Sequence, residues 1–188
     1  MDKVKLGART YLNPMPVVLV GAEVKGKPNY MTAGFVAVLN YQPVVMAIGL
    51  SAKHHTTLGI KKNRTFSVNI PSAKLIKEVD YCGLVSGRNV DKSKVFSTFY
   101  GKLKTAPMIE ECEVSYECKL VKSIEMRDII FLGQVVEAYA SPRCLKGGAP
   151  DLAKINPLLL SVPDSFYWKV GKRAGKAWEI GKSYQPKK

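Results

Sequence analysis

The stretch SAKHHTTLGIKKNRTFSVNIP, residues 51–71, carries four lysines or arginines, two adjacent histidines and no acid. Residue types of this kind could hold a metal, serve a nucleophile, bind nucleic acid or cradle a phosphate. A metal site fits poorly. His54 and His55 would point about 100° apart on a helix and cannot easily share one ion, and the chain has no third histidine. The cysteines match no zinc spacing. Nucleophilic hydrolysis lacks a G-x-S-x-G elbow, and neither a Walker A sequence nor G-x-G-x-x-G occurs. Nucleic-acid binding is the rival on charge alone. Yet Phe66 is the one aromatic in the stretch, where a single-strand binder needs exposed aromatic platforms, and no helix-turn-helix, RRM or zinc-finger pattern is present. A phosphate cradle fits best. Ser51, Thr56 and Thr57 offer hydroxyls, and Lys53 with the start of a following helix supplies positive potential. Lys61, Lys62 and Arg64, at the other end, read as a solvated helix terminus.

The rest of the chain bounds these options. Its 188 residues suffice for one domain with a substantial core, expected to span 1–188. A formal net charge of +14 favours anionic ligands or partners. The charge is uneven: Lys and Arg outnumber Asp and Glu nine to three over residues 51–100 and eight to three over 151–188, but balance at seven each over 101–150. No apolar run approaches the roughly 20 residues of a membrane-spanning helix. MDKVKLGARTYLNPMP lacks the apolar core of a signal peptide, so a cytoplasmic location is expected. Of the four cysteines, Cys112 and Cys118 fall on the apolar side of one strand, about 20 Å apart, and read as buried. Cys82 and Cys144 lie in loop-like sequence and are the better candidates for a reactive thiol.

The elements that must position these groups are mostly strands. PVVLVGAEV (16–24) and GFVAVLNY (34–41) are short, β-branched and apolar, with KGKPN between them as turn material. PVVMAIGLS (43–51) is apolar enough to predict burial on both faces. HHTTLGIKKNR has helical spacing, with Leu58 and Ile60 inward. TFSVNIP (65–71) alternates, setting Phe66, Val68 and Ile70 against Ser67 and Asn69. Ser72 is a candidate N-cap for a helix over 72–80, and YCGLVSGRNVDKSKVF reads as a loop-rich connection. CEVSYECKLV shows a clean period of two. Its antiparallel partner is expected at 128–141, joined through KSIEMR. Many close strands with few helices predict a mainly β barrel or sandwich rather than a doubly wound parallel sheet.

Three motifs in order, NYMTAGF (29–35), GLSAKHHTTLGIKKNRTFSVNIP and CGLVSGRNVDKSKVF (82–96), followed by YWKVGKRAGKAWEIGKSY, resemble the flavin reductase-like, FMN-binding split-barrel family, in its flavoredoxin and archaeal ferric-reductase branch. The resemblance spans nearly the whole chain from about residue 10. It implies a Greek-key split β-barrel with a few short helices, assembled as a homodimer with FMN near the subunit interface. It further implies that Asn29, Met31, Thr32 and Ala33 border the flavin ring, with Phe35 as an aromatic contact. Ser51, Lys53, His54, Thr56 and Thr57 would meet the ribityl chain and phosphate. Asn69 would reach the ligand from the barrel, Lys92 would add a charge, and Phe166, Tyr167 or Trp168 would close the site. The doubled His54-His55 and Thr56-Thr57 leave the phosphate contacts ambiguous by one position.

A flavin site needs hydroxyls and a cation at one end and a dry crevice at the other, and the ring itself carries the redox chemistry. The want of a catalytic acid, base or nucleophile is then no obstacle. The resemblance implies an FMN-dependent oxidoreductase or electron-transfer protein. A flavoredoxin passing electrons to an acidic partner such as ferredoxin, an NAD(P)H-dependent flavin reductase and a ferric-chelate reductase all remain open. So, more remotely, do a nucleic-acid-binding module and a flavin or haem storage protein.

Overall fold

The computed structural model describes residues 2–186. In chain order the elements are β1 (Met15–Pro16), β2 (Val18–Val24), β3 (Lys27–Ala33), β4 (Val36–Tyr41), β5 (Val44–Ser51), α1 (His55–Asn63) and β6 (Thr65–Ile70). There follow α2 (Ile76–Leu84), β7 (Thr98–Phe99), β8 (Met108–Ile109), β9 (Val114–Glu125) and β10 (Asp128–Ala140). The chain ends through β11 (Leu145–Lys146), β12 (Ala149–Pro150), α3 (Leu152–Ile155), β13 (Leu158–Ser161) and β14 (Phe166–Lys169). Seven strands pair in the order β3-β2-β6-β9-β10-β5-β4, every neighbouring pair antiparallel. This is the mainly β split barrel with short helices that the sequence led us to expect.

The sheet coils around one apolar cluster that includes Val20, Ile48, Phe66, Ile129 and Phe131. A second cluster lies outside the sheet, where Val79 and Cys82 of α2 meet Leu19, Tyr30, Phe96 and Ile109. Consequently β2 and β6 are buried on both faces, and their polar residues need internal partners. Asn69 shows how this is met: its amide donates to the Leu19 carbonyl and Ser67 Oγ, and its Oδ1 accepts from Ile109 N–H.

Several local expectations are corrected by the structure. KGKPN is not all turn. Lys25 and Gly26, both at positive φ, form a two-residue hairpin turn, and the chain re-enters the sheet at Lys27 as β3. β5 is buried on one face, through Met46, Ile48 and Leu50, while Val44 is exposed and Ala47 and Gly49 are half-buried. In α1, Ile60 is buried, but Leu58 points outward and is replaced at the sheet by Thr56, Thr57 and Gly59. Ser72 does cap, accepting from Lys74 N–H, but it caps a short 3-10 turn, and α2 proper runs on to Leu84. The polar side of β9 is buried as well. Glu117 is sealed beneath the 99–108 segment, accepting from Lys102 N–H at 3.0 Å, Leu103 N–H at 2.6 Å and Tyr139 Oη at 2.9 Å. A period-two pattern reports which residues alternate, not whether a loop later covers the polar side.

The barrel interior leaves little spare volume at Gly133. A Cβ there would stand 2.3 Å from Phe66 Cζ and 3.0 Å from Cys118 Cβ, at a point where the β9–β10 register shifts. We expect Gly133→Ala to destabilise the fold by about 1–3 kcal/mol, the usual cost of overpacking. A urea midpoint unchanged from wild type would contradict this packing.

Candidate functional site

The site is built where β5 passes into α1. Ser51 is the corner: its carbonyl accepts from His54 N–H and Thr57 Oγ1, both at 3.0 Å, and its Oγ accepts from Lys53 N–H at 3.3 Å. His54 occupies the N-cap position in extended conformation and gives α1 no side-chain cap, and no acid lies in the first turn. The helix therefore presents uncapped N–H groups and the positive end of its dipole to this corner. Thr56 is buried on the first turn and accepts from Asn29 Nδ2 of β3 at 2.7 Å.

The opposite wall comes from the end of α2 and the loop after it. Asp91 accepts from Ser93 N–H and Ser93 Oγ and pairs with Lys27 Nζ at 2.9 Å, which fixes the loop to β3. These three contacts hold its carboxyl well below the usual carboxylate range. Lys92, the next residue, is thereby turned inward and is only 3% exposed. Its Nζ donates to the Cys82 carbonyl at 2.8 Å, in the last turn of α2 where helix carbonyls lack internal partners. No carboxylate among the described residues pairs with it. Burial pushes its pKa down. Gly87 closes the wall, and only glycine fits, because a Cβ would stand 2.0 Å from Asn29 Oδ1 and 2.9 Å from His55 Cδ2.

Between the walls lies a cavity of about 310 Å³, lined by Asn29, Met31, Lys53, His54, Thr56 and Lys92 together with His55 and the 82–87 segment. Its field is positive. His54 and His55 are both held below the ordinary imidazole range, chiefly by burial. Lys92 lowers each further, joined at His55 by Arg88 and Lys25, whereas Asp128 works the other way at His54. The imidazoles are thus hydrogen-bonding groups at neutral pH rather than charges, and Nδ1 of His55 is buried without a partner. One buried ammonium and uncapped helix amides can donate to an anion, the unpartnered His55 nitrogen can bond as donor or acceptor according to its tautomer, and Met31, Leu84 and Val85 offer apolar surface beside them. The donor set fits a flavin phosphate and ring.

Not every residue implied by the resemblance meets there. Thr57 is buried behind the corner and spends its hydroxyl on Ser51. Thr32 donates to the Val79 carbonyl, Ala33 belongs to the barrel core, and Asn69 is fully engaged within it. Phe35 is half exposed beside a separate apolar cavity with Ala47, Gly49 and Ile130. Tyr167 donates to Asp80 of α2, and Phe166 and Trp168 are exposed on β14, Trp168 donating to Ser161. The 82–87 wall was missed by residue-level reasoning. Its signal, CGLVSG directly after a helical pattern, reads from sequence as an ordinary connection.

Residues 10–159 match the flavin reductase like domain, and the chain belongs to that family of flavin-binding redox proteins. Among solved structures it is similar to a flavoredoxin from Methanosarcina acetivorans, at 46% identity and TM-score 0.95, covering 97% of this chain and 99% of that one. It is also similar to the flavoredoxin of Desulfovibrio vulgaris (Miyazaki F), at 32% identity and TM-score 0.89, covering 95% and 99%. An uncharacterized protein of Archaeoglobus fulgidus is 31% identical over 145 residues, 76% of this chain and 81% of that one. No helix among the described residues is long and apolar enough to cross a membrane.

The structure also corrects the expectation for the thiols. Cys82 and Cys144 are not in exposed loops: both are buried, Cys82 within α2, and burial pushes the Cys82 thiol up to about 11. Cys118 rises to about 12 for the same reason, and Cys112 rises as well. Reactivity needs the thiolate and access, and all four lack access. We expect none of the four to react with a disulfide reagent at pH 8 in the folded protein, and all four to react in denaturant. Rapid modification of Cys82 in the native state would show that the 82–87 wall opens readily.

Proposed function

We propose that the chain holds FMN in this cavity and works as an electron-transfer protein of flavoredoxin type, handing electrons between redox partners. The observation that carries the reading is Lys92. A buried ammonium with one carbonyl acceptor and no carboxylate is costly to maintain unless an anion completes it. The phosphate of FMN, close to a dianion, is such a group. Lys92 and the α1 amides would hold it, with Thr56 kept in place by Asn29. Met31 and the 82–87 segment would flank the ring. When bound, FMN supplies one- and two-electron redox chemistry that no side chain offers. The protein's own part is to fix the phosphate, exclude water from the ring's inner edge and set the field around it.

The excess of positive charge suits an acidic protein partner, since complementary potentials steer encounter. A homodimer and a cytoplasmic setting belong to the same proposal. Reduction of the flavin by NADH or NADPH alone, faster than by a reduced acidic redox protein, would instead favour a flavin reductase.

The direct test is the visible spectrum of the purified chain, where flavin bands bleached by dithionite are expected. A colourless protein that takes up no FMN ends the reading. Lys92→Met should fold and yet bind FMN about 10- to 100-fold more weakly, the worth of a charge-assisted hydrogen bond. The pH dependence follows in sign. Burial lowers the Lys92 pKa in the free protein, and a bound dianion raises it, so FMN affinity should fall as pH rises, starting below the ordinary lysine range. That slope should vanish in Lys92→Met. Titration of FMN by fluorescence quenching between pH 7 and 10 measures both.

A further inference from the structure

A cavity of about 620 Å³ shares no lining residue with the flavin cavity and plays no part in the proposed function. Segments distant in sequence build it. The run EECE (110–113), between β8 and β9, brings three of the chain's fifteen acids. Lys74 after β6, Arg143 after β10 and Lys154 of α3 bring three cations. In a chain of net charge +14, this wall therefore sums to zero. A simple anion or a simple cation would leave half of it unmatched.

Pairing within the wall satisfies only part of these charges. Buried Glu113 receives Arg143 Nε on both oxygens, at 2.9 and 3.0 Å, which leaves the two Nη groups without a hydrogen bond among the described residues. Lys154 Nζ donates to the Leu145 carbonyl, and Lys74 pairs with no carboxylate among the described residues. Glu111 decides the sign of what is missing on the other side. Its Oε1 accepts from Ser97 N–H at 3.0 Å, whereas its Oε2 is shut off from solvent with no hydrogen-bond partner. A carboxylate oxygen in that state is costly until a donor reaches it. The donor is not a metal ion, since no group of three or more His, Cys, Asp or Glu side chains among the described residues could hold one. A charged donor for Glu111 and a charged acceptor for Arg143 and Lys74, carried by one small molecule, would match both halves. Leu75 is the one apolar side chain of the wall among the described residues, and Ser72 and Ser97 add hydroxyls, so the rest of that molecule is short and polar.

We propose that this cavity binds a free α-amino acid with a short polar side chain, its ammonium group on Glu111 Oε2 and its carboxylate on Arg143 and Lys74. The site does not rest on the flavin reading, because none of these residues lines the flavin cavity. Recognition requires both charges of the zwitterion at once, and that requirement separates it from a surface that attracts ions of either sign.

The test titrates L-serine into the full chain, with and without FMN, and follows the backbone amide resonances of Ser97 and Glu111 by NMR. Both should shift, with a Kd of about 1 mM or tighter. N-acetyl-L-serine lacks the ammonium group and L-serinamide lacks the carboxylate. Each should bind at least about tenfold more weakly, the worth of one charge-assisted hydrogen bond. Glu111→Gln keeps an oxygen for Ser97 N–H, and both it and Lys74→Gln should lose about tenfold of the serine affinity while keeping the wild-type circular dichroism. Three results overturn the proposal: amides of Ser97 and Glu111 that do not move, a blocked analogue that binds as tightly as serine, or folded variants that bind serine undiminished. Serine binding by a chain that takes up no flavin would end the proposed function and leave this site standing, and FMN uptake without serine binding would do the reverse.

Discussion

An ammonium group held out of water by a single helix carbonyl is the constraint around which the site is arranged. Lys92 reaches its place because Asp91 is anchored twice, to Ser93 in its own turn and to Lys27 across the loop. The acceptor is available because α2 ends at Leu84, leaving the Cys82 carbonyl with no partner further along the helix. Positive charge is stabilised at that end of a helix, and negative charge at the start of α1 opposite. The two helices therefore face the cavity with opposite polarity, and the buried lysine neutralises the unfavourable one. What remains across the cavity is net positive potential, beside imidazoles that burial keeps uncharged.

The strands make this arrangement rigid by burying polar groups only where they are satisfied. Asn69 ties β6 to β2 and to β8, and Glu117 ties β9 to the segment that crosses it and to Tyr139 of β10. Such internal ties contribute modest net stability but penalise any register in which they are broken. β3, which carries Asn29 and Met31 into the site, is held in register by the tight turn at Lys25–Gly26 along its whole length. The positions of Asn29 and Thr56 relative to one another are thus set by the barrel rather than by the loops.

Much of this was legible in the chain, and the parts that were not have a common cause. Local signals carried well: the alternation of β9, the helical spacing of α1, the Ser72 cap and the hydroxyl-rich corner at Ser51 all found their places. Motif order gave the family and the split barrel, and six of the residues it implied, Asn29, Met31, Lys53, His54, Thr56 and Lys92, line the cavity proposed here for FMN. Errors arose where burial comes from a segment distant in sequence. Asn69 and Glu117 look like solvent-facing alternates until the 99–109 segment is laid over them. Leu58 looks like core until the sheet proves to need the smaller Thr57 and Gly59. Cys82 and Cys144 look loop-borne because glycine and proline nearby mask a helix end and a packed turn. Lys92 came from family resemblance, and nothing local in VDKSK announces a buried lysine.

Residues 171–186 lie on the outside, with Trp178 93% exposed, and Trp168 on β14 is 54% exposed. These are the two tryptophans of the chain. Indole emission reports the polarity around the ring, and the Trp178 ring already sits in water while the Trp168 ring is about half exposed. Loss of the barrel should therefore change intrinsic fluorescence only modestly, through Trp168, and circular dichroism is the better optical monitor of denaturation. The same circumstance turns the pair into a sensitive gauge of association, because any macromolecule that covered them would shift their emission to the blue without altering the fold.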